Sequence, residues 1–378
     1  MSPSNNRTTP GVVRTLVLLC MATLTFIVVG SFNISDNAAP AGYPSFLAEP
    51  PSWTLFRGYW KSERQCRALA KQLRETHPTG VCRGDPKCPT MVHTETLMSR
   101  GDSLDPRQEQ LLVLSFLATQ HSSLILNILV SEADFQQPPK WLSSLLEHEE
   151  YGKRIQLNLW DFGKLDLHPD QLEGLQAAYN DIPSLASKSD LRRYAVLYHY
   201  GGLWLDTDTI FVNDVRPLMG LDFVYVAGKM FNGAAMGASR KQSTFMRRII
   251  EHAVYLYKYN NDGAYYRFAG YLFQDLWDQK PAPFFALSGC LFDDGWGGHF
   301  QQAPASWSDI WSRPTTRSIN AFFQDPNGVF TYHWHGHGVW GTKIQPKSFA
   351  SVAHANYVRQ LQLDPTIFHP AEEEDWKQ

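Results

Sequence analysis

Basic charge is not in excess in this 378-residue chain: 34 Lys and Arg stand against 37 Asp and Glu, a net charge of -3. No cationic surplus is left to neutralise a phosphate backbone, which excludes nucleic acid as the main partner. Cysteine is scarce, with five in all, and no two show the C-x-x-C spacing of a zinc site. No internal repeat is visible. What the chain does have is 43% hydrophobic residues, enough to bury the core of one large domain or two modest ones and too many for a disordered or collagen-like chain. Its 12 Trp, 16 Tyr and 22 Phe suit a protein that stacks flat apolar ligand faces, sugars among them.

From Thr15 to Phe32 the chain runs without a charge, close to the roughly 20 helical residues that cross a hydrocarbon core. Arg7 and Arg14 precede the run, and the first charges after it are Asp36 and Glu49. The positive-inside bias predicts a cytosolic tail over 1–14, a type II signal anchor over 15–32 and a lumenal remainder. The competing reading is a cleaved signal peptide, with Ala39-Pro40-Ala41 as a loose cleavage site; run length and flanks favour the anchor. A short span points to a Golgi or endoplasmic reticulum membrane. Residues 33–88 read as stem and stem-proximal region, with four Pro between Asn33 and Pro51. Asn33-Ile34-Ser35 is a glycosylation sequon next to the membrane. Cys20 lies in the apolar run. Among Cys66, Cys82, Cys88 and Cys290, which allow three pairings, a local Cys82 to Cys88 bridge leaves Cys66 to Cys290.

Regular structure is predicted from Met91, where MVHTETL reads as a strand. A helix to about His121 follows, with Asp105 as N-cap, Pro106 at its first position and Gln108 completing a capping box. Strand Leu124 to Ser131, helix Trp141 to Glu149 and strand Ile155 to Trp160 come next. This alternation predicts an α/β fold, a mostly parallel sheet flanked by helices, with ligands gathered at the carboxyl ends of its strands.

The chemistry concentrates between Ser187 and Val215. Ser187 or Ser189 caps a helix whose apolar positions Leu191, Tyr194, Ala195 and Tyr198 face inward. Asp190 and Arg193, three residues apart, share a flank; by itself the pair also reads as an ordinary helix ion pair. Gly201-Gly202 stops the helix, and Leu203-Trp204-Leu205 enters a strand. That strand ends in Asp206-Thr207-Asp208, the sole D-x-D triplet of the sequence. Two-residue alternation puts both carboxylates on one side, a hard oxygen pair suited to Mn²⁺ or Mg²⁺. A cation there offsets the charge of a departing nucleotide diphosphate.

The run K-S-D-x-x-R-Y, then L-Y-x-Y-G-G-L-W-L-D-T-D, resembles the DXD sugar-binding region of glycosyltransferase family 32, which includes fungal mannosyltransferases, animal α-1,4-galactosyltransferases and, more remotely, the large clostridial glucosylating toxins. The likeness is strong over about thirty residues and looser from Met91 to His337. It implies a GT-A fold, a single Rossmann-like mixed sheet over 89–370, and retaining, Mn²⁺-dependent transfer of a hexose. The nucleotide-sugar donor would be uridine diphosphate galactose or guanosine diphosphate mannose, and the acceptor a glycan or glycolipid. By position, Asp190 and Arg193 resemble the pair that holds the donor, Asp206 the first DXD carboxylate, which contacts donor or metal, and Asp208 the principal metal ligand. His93 retains part of a first-strand nucleotide motif. In Tyr332-His333-Trp334-His335-Gly336-His337 the resemblance nominates His333 to complete the metal site, although three histidines at alternate positions would share one strand face.

Asn232-Gly233 is first of all a turn signal after strand Phe223 to Ala227, with a possible place in the sugar pocket. Asp293-Asp294-Gly295-Trp296 reads either as a solvated turn or as a contact for acceptor hydroxyls. Trp204 and Trp334 are expected in the core, and 371–378 as a solvated acidic tail. The alternative function is a catalytically inactive glycan-binding or scaffolding protein of the secretory pathway.

Overall fold

The computed structural model describes residues 62–78, 80, 88–95, 105–159, 161–227, 230–259, 267–279, 282–293, 300–336 and 342–368. The apolar run Thr15 to Phe32, the sequon, Cys82, Asp294 to Trp296, His337 and the acidic tail lie outside these residues. Among the described residues no helix is long and apolar enough to cross a membrane.

Regular structure begins earlier than Met91, with helix α1 (Glu63–Thr76). A true capping box starts it: Ser62 and Gln65 exchange side-chain and backbone hydrogen bonds. Although α1 falls in the stretch assigned to the stem-proximal region, its Cys66, Ala70 and Leu73 are buried in the same core as the sheet. Cys66 is disulfide-bonded to Cys290, the one of the three pairings that a local Cys82 to Cys88 bridge leaves. Cys88 is also in a disulfide, its partner outside the described residues.

Seven strands form the main sheet: β1 (Met91–Glu95), β2 (Ile125–Val130), β3 (Ile155–Leu159), β4 (Gly202–Leu205), β6 (Phe223–Ala227), β7 (Met230–Ala238) and β8 (Phe285–Ser288). Their order is β3-β2-β1-β4-β7-β6-β8. Six strands run one way and β7 alone is reversed, pairing antiparallel with β4 and β6. The sheet is therefore mixed, and mostly parallel as predicted. A second, two-stranded ribbon joins β5 (Thr209–Phe211) to β9 (Thr331–His333) antiparallel.

Two-residue alternation divides the strand side chains between two cores. On β4, Leu203 and Leu205 join one and Trp204 the other; on β6, Phe223 and Tyr225 separate likewise from Val224 and Val226. Helices α1, α2 (Pro106–Thr119), α3 (Lys140–Glu147) and α8 (Phe349–Gln360) cover the first face. Helices α4 (Pro169–Asp181), α5 (Leu185–Tyr200), α6 (Thr244–Tyr259) and α7 (Leu272–Asp278) cover the second. Burying one large apolar side chain contributes about 1.5–3 kcal/mol, so both faces need such cover.

Three local expectations are corrected by packing. Asp105 caps α2 by accepting from the Arg107 N–H, but Gln108 is turned inward, donating to the Thr342 carbonyl at 3.0 Å, so no capping box forms. Ser184, not Ser187 or Ser189, caps α5. Asn232-Gly233 is no turn: both lie within β7. Gly201 and Gly202 do end α5, with φ of 69° and 94° that side chains with a Cβ rarely adopt.

Candidate active site

The D-x-D triplet sits where β4 leaves the sheet and β5 begins. Asp206 follows the last residue of β4, and Thr207-Asp208 form a turn rather than a continued strand. Backbone bonds fix the turn. The Asp206 N–H donates to the Ala234 carbonyl of β7 at 2.9 Å, and the Asp208 carbonyl accepts from the Trp334 N–H at 2.9 Å. The Thr207 hydroxyl donates to the Glu95 carbonyl at the end of β1.

On one side, Asp206 faces α5. Its Oδ1 accepts from Arg193 Nη2 at 3.0 Å and from the Trp204 indole N–H at 2.7 Å. Asp190 holds the same guanidinium at 3.4 Å, and the group lies over the Trp204 ring, 5.4 Å from its centroid. Both Asp190 and Arg193 are buried, which excludes an ordinary surface ion pair. Burial works against the Arg193 charge, but Asp206 and Asp190 more than offset it and its pKa is raised. Burial pushes Asp190 up to about 7 against the pull of Arg193. Gly233 explains the Asn-Gly pair: a Cβ there would collide with Arg193 Nη1.

On the other side, Asp208 faces the ribbon. Register pairs Thr209 with His333 across β5 and β9, which brings His333 Nε2 to 3.1 Å from Asp208 Oδ1. The Gly336 N–H donates to Asp208 Oδ2 at 2.6 Å. Burial alone would raise the Asp208 pKa, yet His333 and the Gly336 N–H hold it well below the usual carboxylate range. Burial alone would lower His333, and Asp208 reverses that shift. Ligand atoms of Asp206, Asp208 and His333 all lie within 4.8 Å of one another. Two carboxylates and an imidazole form an oxygen–nitrogen donor set that fits Mn²⁺ or Mg²⁺.

His93 stays apart from this cluster. It is fully buried on β1, with Nε2 2.8 Å from the Gly201 carbonyl, Nδ1 2.8 Å from Asn127 Nδ2 and its ring stacked on Tyr200. Both nitrogens are occupied by the protein at the α5–β4 junction, so the nucleotide contact expected of His93 would require one of these bonds to break. The histidine alternation also breaks, because β9 ends at His333 and His335 has a φ of 52°.

Glu95 and Tyr225 escaped the sequence reading as neighbours of the site, and Asp293 lies elsewhere than in a solvated turn. Glu95, at the end of β1, is ion-paired with Arg192 and accepts from Ser189 Oγ at 2.9 Å. Asp293, expected in a solvated turn or at an acceptor, is buried and accepts from His335 Nε2 at 2.6 Å. Tyr225 of β6 reaches His333 Nδ1 at 3.1 Å. The acidic pair at 293 was a visible signal; for Tyr225, one aromatic in an apolar strand, there was none.

Residues 131–223 match the glycosyltransferase sugar-binding region containing the DXD motif. The matched residues span α5, its glycine stop and both aspartates. Within the curated proteins, the chain is 33% identical over 72 residues to an uncharacterized glycosyltransferase of Acanthamoeba polyphaga mimivirus. The match covers 19% of this chain and 27% of that relative, so the chain spans about a quarter of the relative's length. Similar solved structures include the PaToxG glycosyltransferase, at 18% identity and a TM-score of 0.39, over 58% of this chain and 79% of that one. Mouse xyloside xylosyltransferase 1 in its apo form is 12% identical with a TM-score of 0.36, over 65% of this chain and 96% of that one.

Proposed function

We propose that this chain is a retaining GT-A glycosyltransferase of family 32 that moves a hexose from a nucleotide diphosphate sugar to a glycan or glycolipid hydroxyl. Uridine diphosphate galactose and guanosine diphosphate mannose are the favoured donors. The enzyme is held as a single-pass type II protein in a Golgi or endoplasmic reticulum membrane by the run Thr15 to Phe32, with its catalytic domain over 89–370 in the lumen. The observation that carries the reading is the convergence of Asp190, Arg193 and Asp206 with Asp208 and His333 around one turn.

Asp206, Asp208 and His333 are the residues that would hold the divalent cation. Bound there, it would supply Lewis-acid stabilisation of the leaving diphosphate. Arg193 presents a guanidinium to the anionic donor from a fixed position, since Asp190, Asp206, Trp204 and Gly233 confine it. Asp190, whose carboxyl changes protonation near neutral pH, suits a hydrogen bond to a sugar hydroxyl in either direction. No residue is assigned as a nucleophile; front-face attack and a covalent intermediate both give retention.

A donor panel with the detergent-solubilised full chain tests the proposal, scoring transfer and hydrolysis with and without Mn²⁺. Metal-dependent transfer from one donor to an added glycan is the expected result. Tight glycan binding without metal-dependent nucleotide binding would instead favour the inactive binding protein.

A further inference from the structure

Behind His333, away from Asp208, lies a buried polar group that the proposed reaction does not use. Tyr225 is fully buried on β6, and its hydroxyl sits 3.1 Å from His333 Nδ1 and 3.5 Å from Asp293 Oδ2. Asp293 Oδ2 also accepts from His335 Nε2, and the His335 ring packs between His333 and Trp307, with centroids 3.9 and 4.0 Å away. If Tyr225 served packing alone, among Phe223, Phe292 and their neighbours, phenylalanine would fill the place without burying a hydroxyl.

We infer that Tyr225 and Asp293 are positioning residues that set the tautomer of His333, so that Nε2, which meets Asp208 in this structure, is the nitrogen turned to the cation. The inference rests on the cation reading proposed above. An imidazole that binds a cation through Nε2 must carry its proton on Nδ1, and the group that accepts from Nδ1 fixes both tautomer and ring orientation. Here the Tyr225 oxygen accepts from Nδ1–H, and the Tyr225 proton is directed to Asp293 Oδ2. The Asp293 end is anchored. The Asp293 N–H donates to the Gly289 carbonyl at 2.7 Å, the His333 N–H donates to the Phe292 carbonyl at 3.0 Å, and Cys290 in the same turn is bonded to Cys66. Backbone and disulfide thus hold donor and acceptor of the relay together.

The test is the affinity of the full-length protein for Mn²⁺ alone, read by the electron paramagnetic resonance of the free ion. Tyr225→Phe keeps the ring and is expected to weaken Mn²⁺ binding by about 10–100-fold, with the metal-free thermal midpoint unchanged; Asp293→Asn should act in the same direction. Wild-type binding retained in Tyr225→Phe, while Asp208→Asn abolishes it, would overturn the relay and leave the cation site standing. A wild-type protein that binds neither Mn²⁺ nor Mg²⁺ would overturn both. A second measurement needs no variant: ¹⁵N spectra of histidine-labelled protein loaded with Cd²⁺, a diamagnetic substitute for Mn²⁺. The expected His333 carries its proton on Nδ1; a proton on Nε2 would overturn the relay.

Discussion

Arg193 joins the two carboxylates on the α5 side of the site, Asp190 and Asp206. A guanidinium can satisfy Asp190 and Asp206 at once while its plane lies on Trp204; a lysine ammonium offers a point charge without the planar fork. Arg193→Lys should therefore lower the transfer rate by at least about tenfold, equivalent to about 1.4 kcal/mol, as measured by steady-state kinetics. Gly233→Ala reaches the same guanidinium from the opposite side. It should raise the KM for the donor with little change in thermal midpoint, because the group that must yield is a side-chain end. An unchanged donor KM would separate Gly233 from the site. Asp206 and Asp208 were legible in the sequence as a hard oxygen pair, and Asp190, Arg193 and His333 through the family resemblance. Tyr225 was not, and the contact of Gly233 with Arg193 was not, since both depend on how the folded chain sets β6 and β7 against distant residues. A motif position reveals nothing about surroundings such as those of His93, a ring closed in by Gly201 and Asn127.

At the scale of elements, the ribbon of β5 and β9 determines the site: without that register His333 does not meet Asp208. The alternating strands and helices up to β4 could be read from periodicity, and the glycine stop of α5 from its two residues. The ribbon could not, because its strands are three residues each and lie far apart in sequence. The inward turn of Gln108 was equally hidden, since its partner is the distant Thr342. Helix α2 carries a testable cost of its own. Glu109 has its Oε1 buried without a hydrogen-bond partner among the described residues, and burial, with Asp134 nearby, pushes its pKa up to about 7. Its folded value lies above its ordinary one, so its contribution to stability is fully present below about pH 4.5 and is lost as pH rises through about 7. Glu109→Gln is expected to match wild type at pH 4.5 and to exceed it by about 1–3 kcal/mol at pH 8. Urea unfolding midpoints at the two pH values would show this, and a variant no more stable at pH 8 would contradict it.

For the whole molecule, two cores on opposite faces of one sheet make a single frame, and the Cys66–Cys290 bridge ties α1 to the turn before Asp293 across a separation of 224 residues. Replacing both cysteines with serine should cost about 2–5 kcal/mol, read as a lower thermal midpoint that added reductant shifts less than it shifts the wild type, the bridge at Cys88 remaining. Composition and alternation made the α/β frame legible, and the turn-like spacing of Cys82 and Cys88 left this bridge as one of three pairings. The reversed strand β7 was decided by long-range packing instead. The central claim is that Asp206, Asp208 and His333 hold a divalent cation that supports sugar transfer. The most direct measurement is transfer from the preferred nucleotide sugar as a function of Mn²⁺ concentration, for wild type and Asp208→Asn side by side. The account predicts saturable metal dependence in the wild type and its loss in the variant; metal-dependent transfer of equal rate in Asp208→Asn would contradict it.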